Sequence, residues 1–310
     1  MDNILSISVE SDNPAHRLAV DRVNELLKNK SAIPTFSQAA VKLCALAQKE
    51  DASIDEFTQV VSLDPGLAAR CLYVASSIGF AARPIENIQQ ALMLVGVRQI
   101  RRIAFTVAVI GAFSGFSAKI DWKKFWFHNV LVARLTEDIA KRYREITGME
   151  YLAGLLHDIG KVIVEHYFPK EFEHIIVGAI EKQCNHAQME KAILGVDHAQ
   201  IGAAMCQSMQ IHPHIQRAVR FHHDPMSPAH ASDSGGDLGF LATCVCAADQ
   251  VANKVSMRRK EPIQPVSLAE CAPKGSFMHQ QPNALSLPLD VQKEVAKTEG
   301  DCSWIAVVQH

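Results

Sequence analysis

The chain has 310 residues and a formal net charge of −2, with 31 Lys and Arg against 33 Asp and Glu. That balance excludes a basic field over the whole surface of the kind that attracts nucleic acid, and the length suffices for one large or two modest domains. The eight cysteines include no Cys-x-x-Cys spacing, and the closest pair, Cys244 and Cys246, stands in an apolar run. Buried free thiols in a reducing compartment are therefore expected.

Neither a secretory signal nor a membrane span is predicted. The first residues, Met1-Asp2-Asn3, lack the basic start and the apolar run of a secretory signal. The most apolar stretch, residues 103–118, contains two glycines and is shorter than the roughly 20 residues that a transmembrane helix needs. We therefore expect a cytoplasmic protein in which this stretch forms a buried helix.

The first half of the sequence predicts helices joined by short turns. Asn13-Pro14 combines a capping residue with a proline, which favours a helix start, and Ser53 to Glu56 has the spacing of a capping box. Asp64-Pro65 predicts a helix end, because proline disfavours the α conformation in the residue before it. The helices predicted from these signals and from apolar spacing cover residues 14–30, 37–48, 54–63, 66–77, 87–95 and 98–113.

The second half continues the helical pattern, without strand-like alternation before residue 257. Its longest amphipathic pattern, residues 122–144, puts Trp126 on the apolar face and Glu137 on the charged face. Asp197 is expected to cap the helix that carries His198. The remaining predicted helices cover residues 151–156, 162–167, 172–184, 186–194, 198–209, 213–221 and 238–255. The fold class is therefore predicted to be all-α.

The composition changes in two places. Residues 226–237 are rich in Ser, Pro, Gly and Asp, which is typical of an exposed loop. Four prolines between Pro262 and Pro282 predict a poorly ordered linker. One short final helix is predicted at residues 289–298.

The stretch from Leu155 to Lys161, which reads Leu-Leu-His-Asp-Ile-Gly-Lys, carries the clearest chemical signal. His157 and Asp158 offer an imidazole and a carboxylate from one backbone segment, a donor pair that suits iron, manganese, zinc or magnesium. Gly160 is expected to end the preceding apolar helix by adopting a positive φ. Taken alone, the pair also has a structural explanation, in which the two side chains hydrogen-bond each other and cap the local backbone.

Further metal-ligand residue types fall within or at the ends of predicted helices in the second half. Helical bundles build metal sites from such inward-facing side chains, and a carboxylate such as Asp158 can bridge two ions roughly 3.5–4 Å apart. Each candidate ligand, taken singly, could also have a purely structural role. The predicted ligands are His128, His157, Asp158, His198, His222, His223 and Asp249. Structural roles are assigned to six further histidines, His166, His174, His186, His212, His214 and His230.

At this point the chain resembles a known family, the HDOD or HD-related output domain of bacterial signalling proteins, within the HD superfamily of metal-dependent phosphohydrolases. The resemblance covers residues 31–256. Its motifs in the first half are Ile33-Pro34, Asp64-Pro65-Gly66-Leu67-Ala68-Ala69-Arg70 and Ala91-Leu92-Met93-Leu94-Val95-Gly96. Its motifs in the second half are Trp126-Phe127-His128-Asn129, the run from Ala153 to Lys161, His198-Ala199-Gln200-Ile201-Gly202-Ala203 and Phe221-His222-His223-Asp224-Pro225.

The resemblance implies a two-lobed all-α bundle. The expected domains are an N-terminal extension with one helix at 1–30, an HDOD domain at 31–256 and a partly disordered tail with a linker and a short helix at 257–310. Within the HDOD domain, the first lobe is expected at 31–118 and the HD-like lobe at 119–256.

The resemblance also implies a ligand set. By similarity to the related HD-GYP phosphodiesterases, His128, His157, Asp158 and Asp249 would hold one divalent metal, and Asp158, His198, His222 and His223 a second. No Gly-Tyr-Pro follows the histidine pair, so cyclic dinucleotide hydrolysis is not implied. Two milder departures from the HDOD pattern are Ser76-Ser77, where Asn-Ser is common, and Val95-Gly96, where Leu-Gly is usual.

Three functions are considered. The first is a regulatory protein whose metal site senses or binds a phosphate-containing small molecule or a signalling protein. The second is an active metal-dependent phosphohydrolase, in which Asp158 and Lys161 are catalytic because a metal polarises the phosphoryl group and a lysine offsets its charge. The third is nucleic-acid binding through the basic runs at residues 98–102 and 258–260, which offer only a few phosphate contacts. We favour the first over the second and disfavour the third.

Overall fold

A computed structural model describes residues 7, 13–29, 37–46, 53–77, 85, 87–116, 120–227, 238–257, 266–286 and 288–302. Within these ranges every regular element is a helix, as the all-α prediction requires. The α-helices are α1 (Pro14–Lys28), α2 (Gln38–Leu46), α3 (Ile54–Ser62), α4 (Pro65–Ser77), α5 (Ile88–Val95), α6 (Val97–Ala112), α7 (Trp122–Ala140), α8 (Met149–Leu156), α9 (Gly160–Tyr167), α10 (Pro169–Glu181), α11 (His186–Leu194), α12 (His198–Ser208), α13 (Pro213–Phe221), α14 (Leu238–Met257), α15 (Pro282–Ser286) and α16 (Val291–Cys302). Two 3-10 helices, Leu268–Glu270 and Phe277–Gln280, lie between α14 and α15.

Several predicted features lie outside the described residues. They are the Ile33-Pro34 motif, the last ten residues of the loop at 226–237 with His230, the basic run at 258–260 and the prolines at 262 and 265.

The predicted helix starts are confirmed where they were argued from capping. Asn13 accepts a hydrogen bond from the Ala15 amide at the start of α1, and Ser53 and Glu56 form the full capping box of α3. Asp197 caps α12 by accepting from the Gln200 amide. These side chains satisfy amides that the first helical turn leaves without backbone partners.

The chain divides into two compact units, each assembled from three segments. The first unit contains residues 1–34, 116–120 and 156–243, and the second contains residues 35–115, 121–155 and 244–310. Neighbours in space within a unit are therefore often far apart in sequence.

The first unit is built around α12, which packs against α13 and α9, while α10 packs against α11 and α1 packs against α11 and α12. Val162, Ile201, Ile215 and Val219 are fully buried between these helices. Burying such a side chain stabilises the fold by roughly 1.5–3 kcal/mol. This core holds the ends of α9, α12 and α13 in fixed positions.

The second unit packs α4 against α6 and surrounds them with α2, α3 and α5, and it packs α7 against α16. Helices α7 and α8 approach closely at Gly154, where a Cβ would lie 2.6 Å from the Cα of Ala133. In the segment predicted to be a linker, the two 3-10 helices bury Leu268 and Met278. Leu268 and Met278 are therefore among the side chains by which this proline-containing segment joins the core.

Glu137 lies inside the second unit, so its predicted place on the charged face of α7 is wrong. It is 1% exposed, and its carboxylate pairs with the Arg102 guanidinium of α6 at 2.6 Å. Arg134, also on α7, is buried and pairs with Glu294 of α16 at 2.9 Å. Helices α6 and α16 thus cover Glu137 and Arg134, two positions of α7 that an amphipathic pattern would leave exposed to water. Each of these buried charges has an oppositely charged partner that offsets the cost of its desolvation.

The predictions for cysteine and for the membrane agree with the structure. All eight cysteines are free thiols, and all except the partly exposed Cys184 are buried. No described helix combines the length and the apolarity that crossing a membrane requires.

Candidate metal centre

The His-Asp pair occupies the turn between α8 and α9. Helix α8 ends at Leu156 and α9 begins at Gly160, and the turn is closed by a 2.9 Å hydrogen bond from the Lys161 amide to the Asp158 carbonyl. His157 and Asp158 are both buried. The two side chains therefore lie where a metal ligand set would be protected from water.

The prediction that Gly160 ends α8 with a positive φ is wrong. Gly160 is the first residue of α9, and its φ is outside the left-handed region. Its role is close packing, because a Cβ would lie 2.0 Å from the carbonyl oxygen of His198 and 2.8 Å from the amide nitrogen of Gly202. The missing side chain lets α9 contact the α12 backbone, which brings the turn with Asp158 next to His198.

Asp158 is the centre of the polar cluster. Its Oδ2 lies 2.6 Å from Lys161 Nζ and 3.4 Å from His157 Nε2. Its Oδ1 lies 3.1 Å from His198 Nε2 and 3.9 Å from His222 Nε2. One carboxylate therefore contacts basic groups from the turn, α9, α12 and the end of α13.

The charge state of Asp158 follows from these neighbours. Burial raises its pKa, but electrostatic interactions with His157 and Lys161 and the hydrogen bond with His198 lower it more, so the pKa lies well below the usual value. Asp158 is therefore a carboxylate at neutral pH. An ionised carboxylate is the form that binds a divalent metal.

His198 lies at the first position of α12 and is fully buried. Its Nδ1 is 2.6 Å from Glu190 Oε2 on α11, and its Nε2 faces Asp158. Burial lowers its pKa, but the charge of Glu190 and the hydrogen bonds with Asp158 and Glu190 raise the pKa to about 9. Metal binding at Nε2 would therefore release a proton from this ring.

His222 and His223 lie directly after α13. His222 Nδ1 is 2.6 Å from the carbonyl oxygen of Val219. A carbonyl can only accept, so Nδ1 carries a hydrogen and Nε2 is the ring nitrogen that could bind a metal. His223 Nε2 lies 2.9 Å from His198 Nε2, so the end of α13 turns two imidazoles towards the start of α12.

These residues fit a divalent metal. The ligand atoms of His198, His222 and His223 lie within 4.8 Å of one another, as do those of His157, Asp158 and His222. His198 Nε2 and His223 Nε2 lie 2.9 Å apart, close enough for one ion to bind both. The nitrogen and oxygen donors suit zinc, iron or manganese and do not select one of them.

The other two predicted ligands lie in the second unit, where they pair with each other. His128 Nε2 on α7 is 3.1 Å from Asp249 Oδ1 on α14, and both side chains are mostly buried. Asp249 also accepts a 2.9 Å hydrogen bond from the Asn253 amide. The structure thus groups five predicted ligands with Lys161 in the first unit and groups His128 with Asp249 in the second. That all seven residues are metal ligands stays a prediction.

Two residues of this cluster were not assigned to it from the sequence. Glu190 contacts His198 directly, and His186, assigned a structural role, interacts electrostatically with Lys161, Glu190 and Asp158. Burial, helped by the Lys161 charge, lowers the His186 pKa. The sequence did contain one indication that Glu190 is buried. At helical spacing it lies on the same face of α11 as the apolar residues Ala187 and Leu194, which are buried. A glutamate on an apolar stripe requires a partner.

The comparisons with known proteins agree with this fold. An HDOD domain protein with unknown function from Geobacter sulfurreducens is 25% identical, with a TM-score of 0.66 over 95% of this chain and 96% of that one. A candidate signal transduction protein from Marinobacter aquaeolei VT8 is 18% identical, with a TM-score of 0.67 over 99% and 68% of the two chains. A candidate phosphohydrolase from Shewanella amazonensis SB2B is 24% identical, with a TM-score of 0.64 over 94% and 98%.

The sequence comparisons identify the family. An uncharacterised protein from Treponema pallidum (strain Nichols) is 21% identical over an alignment of 242 residues, and the alignment covers 73% of this chain and 47% of that protein. The chain therefore spans about half the length of this curated relative. The family model of the HDOD domain matches residues 33–225. Since this match spans more than half of the sequence, the chain belongs to the HDOD domain family.

Proposed function

We propose that this chain is a regulatory HDOD protein whose His/Asp cluster holds a divalent metal and uses it to bind or sense a phosphate-containing ligand or a signalling partner. The observation that carries the proposal is the convergence of His157, Asp158, His198 and the His222-His223 pair on one mostly buried cluster. Buried imidazoles and a carboxylate cost desolvation energy that a metal would offset. The cytoplasmic location predicted from the sequence stays part of this proposal.

The protein groups have separable tasks in this scheme. His157, Asp158, His198 and the two histidines after α13 would hold the metal, which would supply Lewis-acid chemistry that polarises a phosphoryl oxygen. Lys161 is 2.6 Å from Asp158 and its side chain is 23% exposed. Its ammonium group is thus close to the proposed metal and accessible to solvent, where it would attract a phosphate. We include His128 and Asp249 as ligands of a second metal.

Elemental analysis of purified protein, reconstituted separately with Mn, Fe and Zn, tests the metal site. We expect the wild type to retain a metal and His157→Ala and Asp158→Ala to lose it. The matched control is His174→Ala, because His174 is exposed on α10, and it should retain as much metal as the wild type. A wild type that holds no metal, with site variants of unchanged stability, contradicts the proposal.

The proposed second metal has its own test. If His128 and Asp249 bind a second ion, His128→Ala should lose one metal equivalent and keep the other. His198→Ala should show the complementary loss. Identical stoichiometry in the wild type and in His128→Ala would reduce the proposal to one metal, held by residues of the first unit.

Phosphohydrolase activity is the second candidate function. The observation that favours it is the ion pair between Lys161 and Asp158, since a metal ligand beside a cation is an arrangement that stabilises charge developing on a phosphate. A screen of mononucleotides, cyclic nucleotides and simple phosphodiesters with added Mn or Fe tests it. Turnover that disappears in Asp158→Ala and falls in Lys161→Ala would establish an enzyme. Metal retention without turnover supports the regulatory role.

Nucleic-acid binding is not proposed. Arg101 donates to the Thr147 carbonyl at 2.9 Å, and Arg102 pairs with the buried Glu137. These two arginines of the predicted basic run are therefore occupied within the second unit and offer little charge to phosphates.

A further inference from the structure

We propose that Glu190 is a positioning residue, which fixes the ring of His198 and strengthens it as a metal ligand. This inference rests on the proposed metal site. Glu190 lies on α11, eight residues before His198, and both are fully buried. Its Oε2 lies 2.6 Å from the His198 backbone nitrogen and 2.6 Å from His198 Nδ1. One oxygen thus holds both the backbone and the ring of the same residue.

The ring contact sets which nitrogen is available. A carboxylate can only accept hydrogen bonds, so Nδ1 of His198 donates to Glu190. Nε2 is then the atom directed at Asp158 Oδ1, 3.1 Å away, and at His223 Nε2, 2.9 Å away. A carboxylate behind a ligating imidazole fixes its orientation and raises its basicity.

A purely structural role accounts for less of the geometry. The start of α12 already has a complete capping box, because Asp197 accepts from the Gln200 amide and Gln200 accepts from the Asp197 amide. Glu190 accepts from the His198 amide at this helix start, but helix capping does not account for its contact with the His198 ring. Its Oε1 is buried and has no hydrogen-bond partner among the described residues, so both of its hydrogen bonds to His198 are made by Oε2. The hydrogen bond to the His198 ring is the contact that a role at the helix start leaves unexplained.

His222 provides an internal comparison. Its Nδ1 bonds to a neutral carbonyl, that of Val219, at 2.6 Å, while the corresponding nitrogen of His198 bonds to a carboxylate. Because an ionised acceptor makes the stronger hydrogen bond, His198 is expected to be the stronger donor to the metal. The protein thereby gives the two imidazoles unequal electron-donating strength.

Three variants test the role of Glu190. Glu190→Ala removes both the acceptor and the charge, whereas Glu190→Gln keeps an acceptor oxygen and removes only the charge. Asp197→Ala is the matched control, because it removes a buried acid from the start of α12 and leaves the His198 ring contact intact. The affinity for Zn²⁺ is measured by chelator competition. The ring N–H of His198 is followed by ¹H–¹⁵N correlation spectroscopy on histidine-labelled protein, both with Zn²⁺ and after EDTA treatment.

We expect Glu190→Ala to weaken Zn²⁺ binding by about 10–100-fold, Glu190→Gln to weaken it by a smaller factor, and Asp197→Ala to bind like the wild type. The protected Nδ1–H signal of His198 should persist in Glu190→Gln and Asp197→Ala and disappear in Glu190→Ala. Equal Zn²⁺ affinity in Glu190→Ala and wild type would overturn the proposal, as would an equal loss in Asp197→Ala. If Glu190→Ala fails to fold, unchanged affinity in Glu190→Gln overturns the role of the charge.

The two proposals fail in different ways. A wild type that binds no Zn²⁺, Mn²⁺ or Fe²⁺ removes the metal site, and the positioning role falls with it even if the ring N–H signal depends on Glu190. A wild type that binds metal, with Glu190 variants of unchanged affinity, removes only the positioning role.

Discussion

Replacing Gly160 with alanine should destabilise the protein and weaken the metal cluster together. The added Cβ would lie 2.0 Å from the His198 carbonyl oxygen and 2.8 Å from the Gly202 amide nitrogen. Both are backbone atoms of α12, so α9 or α12 must move as a whole, since no side-chain rotation relieves the contact. Overpacking a core usually costs about 1–3 kcal/mol and occasionally more, and we expect about 3 kcal/mol or more here. The same shift displaces His198 from Asp158 and should lower the bound metal.

The control for this prediction is Gly300→Ala. A Cβ at Gly300, within α16, meets no atom within 4 Å, and alanine is favoured over glycine in a helix by about 0.5–1 kcal/mol. The two identical substitutions should therefore have opposite effects on the free energy of unfolding, measured by urea denaturation at pH 7. If Gly160→Ala is within about 0.5 kcal/mol of the wild type, the size expected for a surface substitution, the close packing of α9 on α12 is not the reason for this glycine.

Three further predictions concern a buried ion pair, the thiols and the metal. Glu294→Gln should cost about 3–5 kcal/mol, because it removes the carboxylate that offsets the charge of the buried Arg134. Burial raises the pKa of Glu294, but its basic partners lower the pKa below the usual value for a glutamate. This stabilisation is therefore present at neutral pH and is lost as the pH falls through the lowered pKa. Urea titrations between pH 7 and pH 3 should show a larger loss of stability in the wild type than in the variant. Burial raises the pKa of Cys44 to about 12, so iodoacetamide at pH 8 should alkylate the partly exposed Cys184 first; equal rates by mass spectrometry would contradict this. EDTA should lower the melting temperature of the wild type and leave that of Asp158→Ala unchanged, because only a protein that binds metal is stabilised by it.

Local features of the sequence were sufficient for much of the fold. Ser53 with Glu56 and Asp197 with Gln200 predict helix starts because capping depends on residues three apart. Helix bounds differ from the prediction by up to four residues at both ends: α7 ends at Ala140 and not at residue 144, and α10 begins at Pro169 and not at residue 172. The donor types in His157-Asp158 and His222-His223 also predict a metal site, since donor chemistry is a property of the residues themselves.

Only the tertiary structure decided which neighbours these residues have. Gly160 is required for the contact with α12 and not for a turn, and Glu137 is buried because Arg102, 35 residues earlier, lies opposite it. Glu190 reaches the His198 ring because α11 and α12 pack side by side. Such contacts depend on helix packing, which no spacing within one helix encodes. The sequence by itself determined which groups are present and where helices begin, and packing determined which carboxylate supports which imidazole.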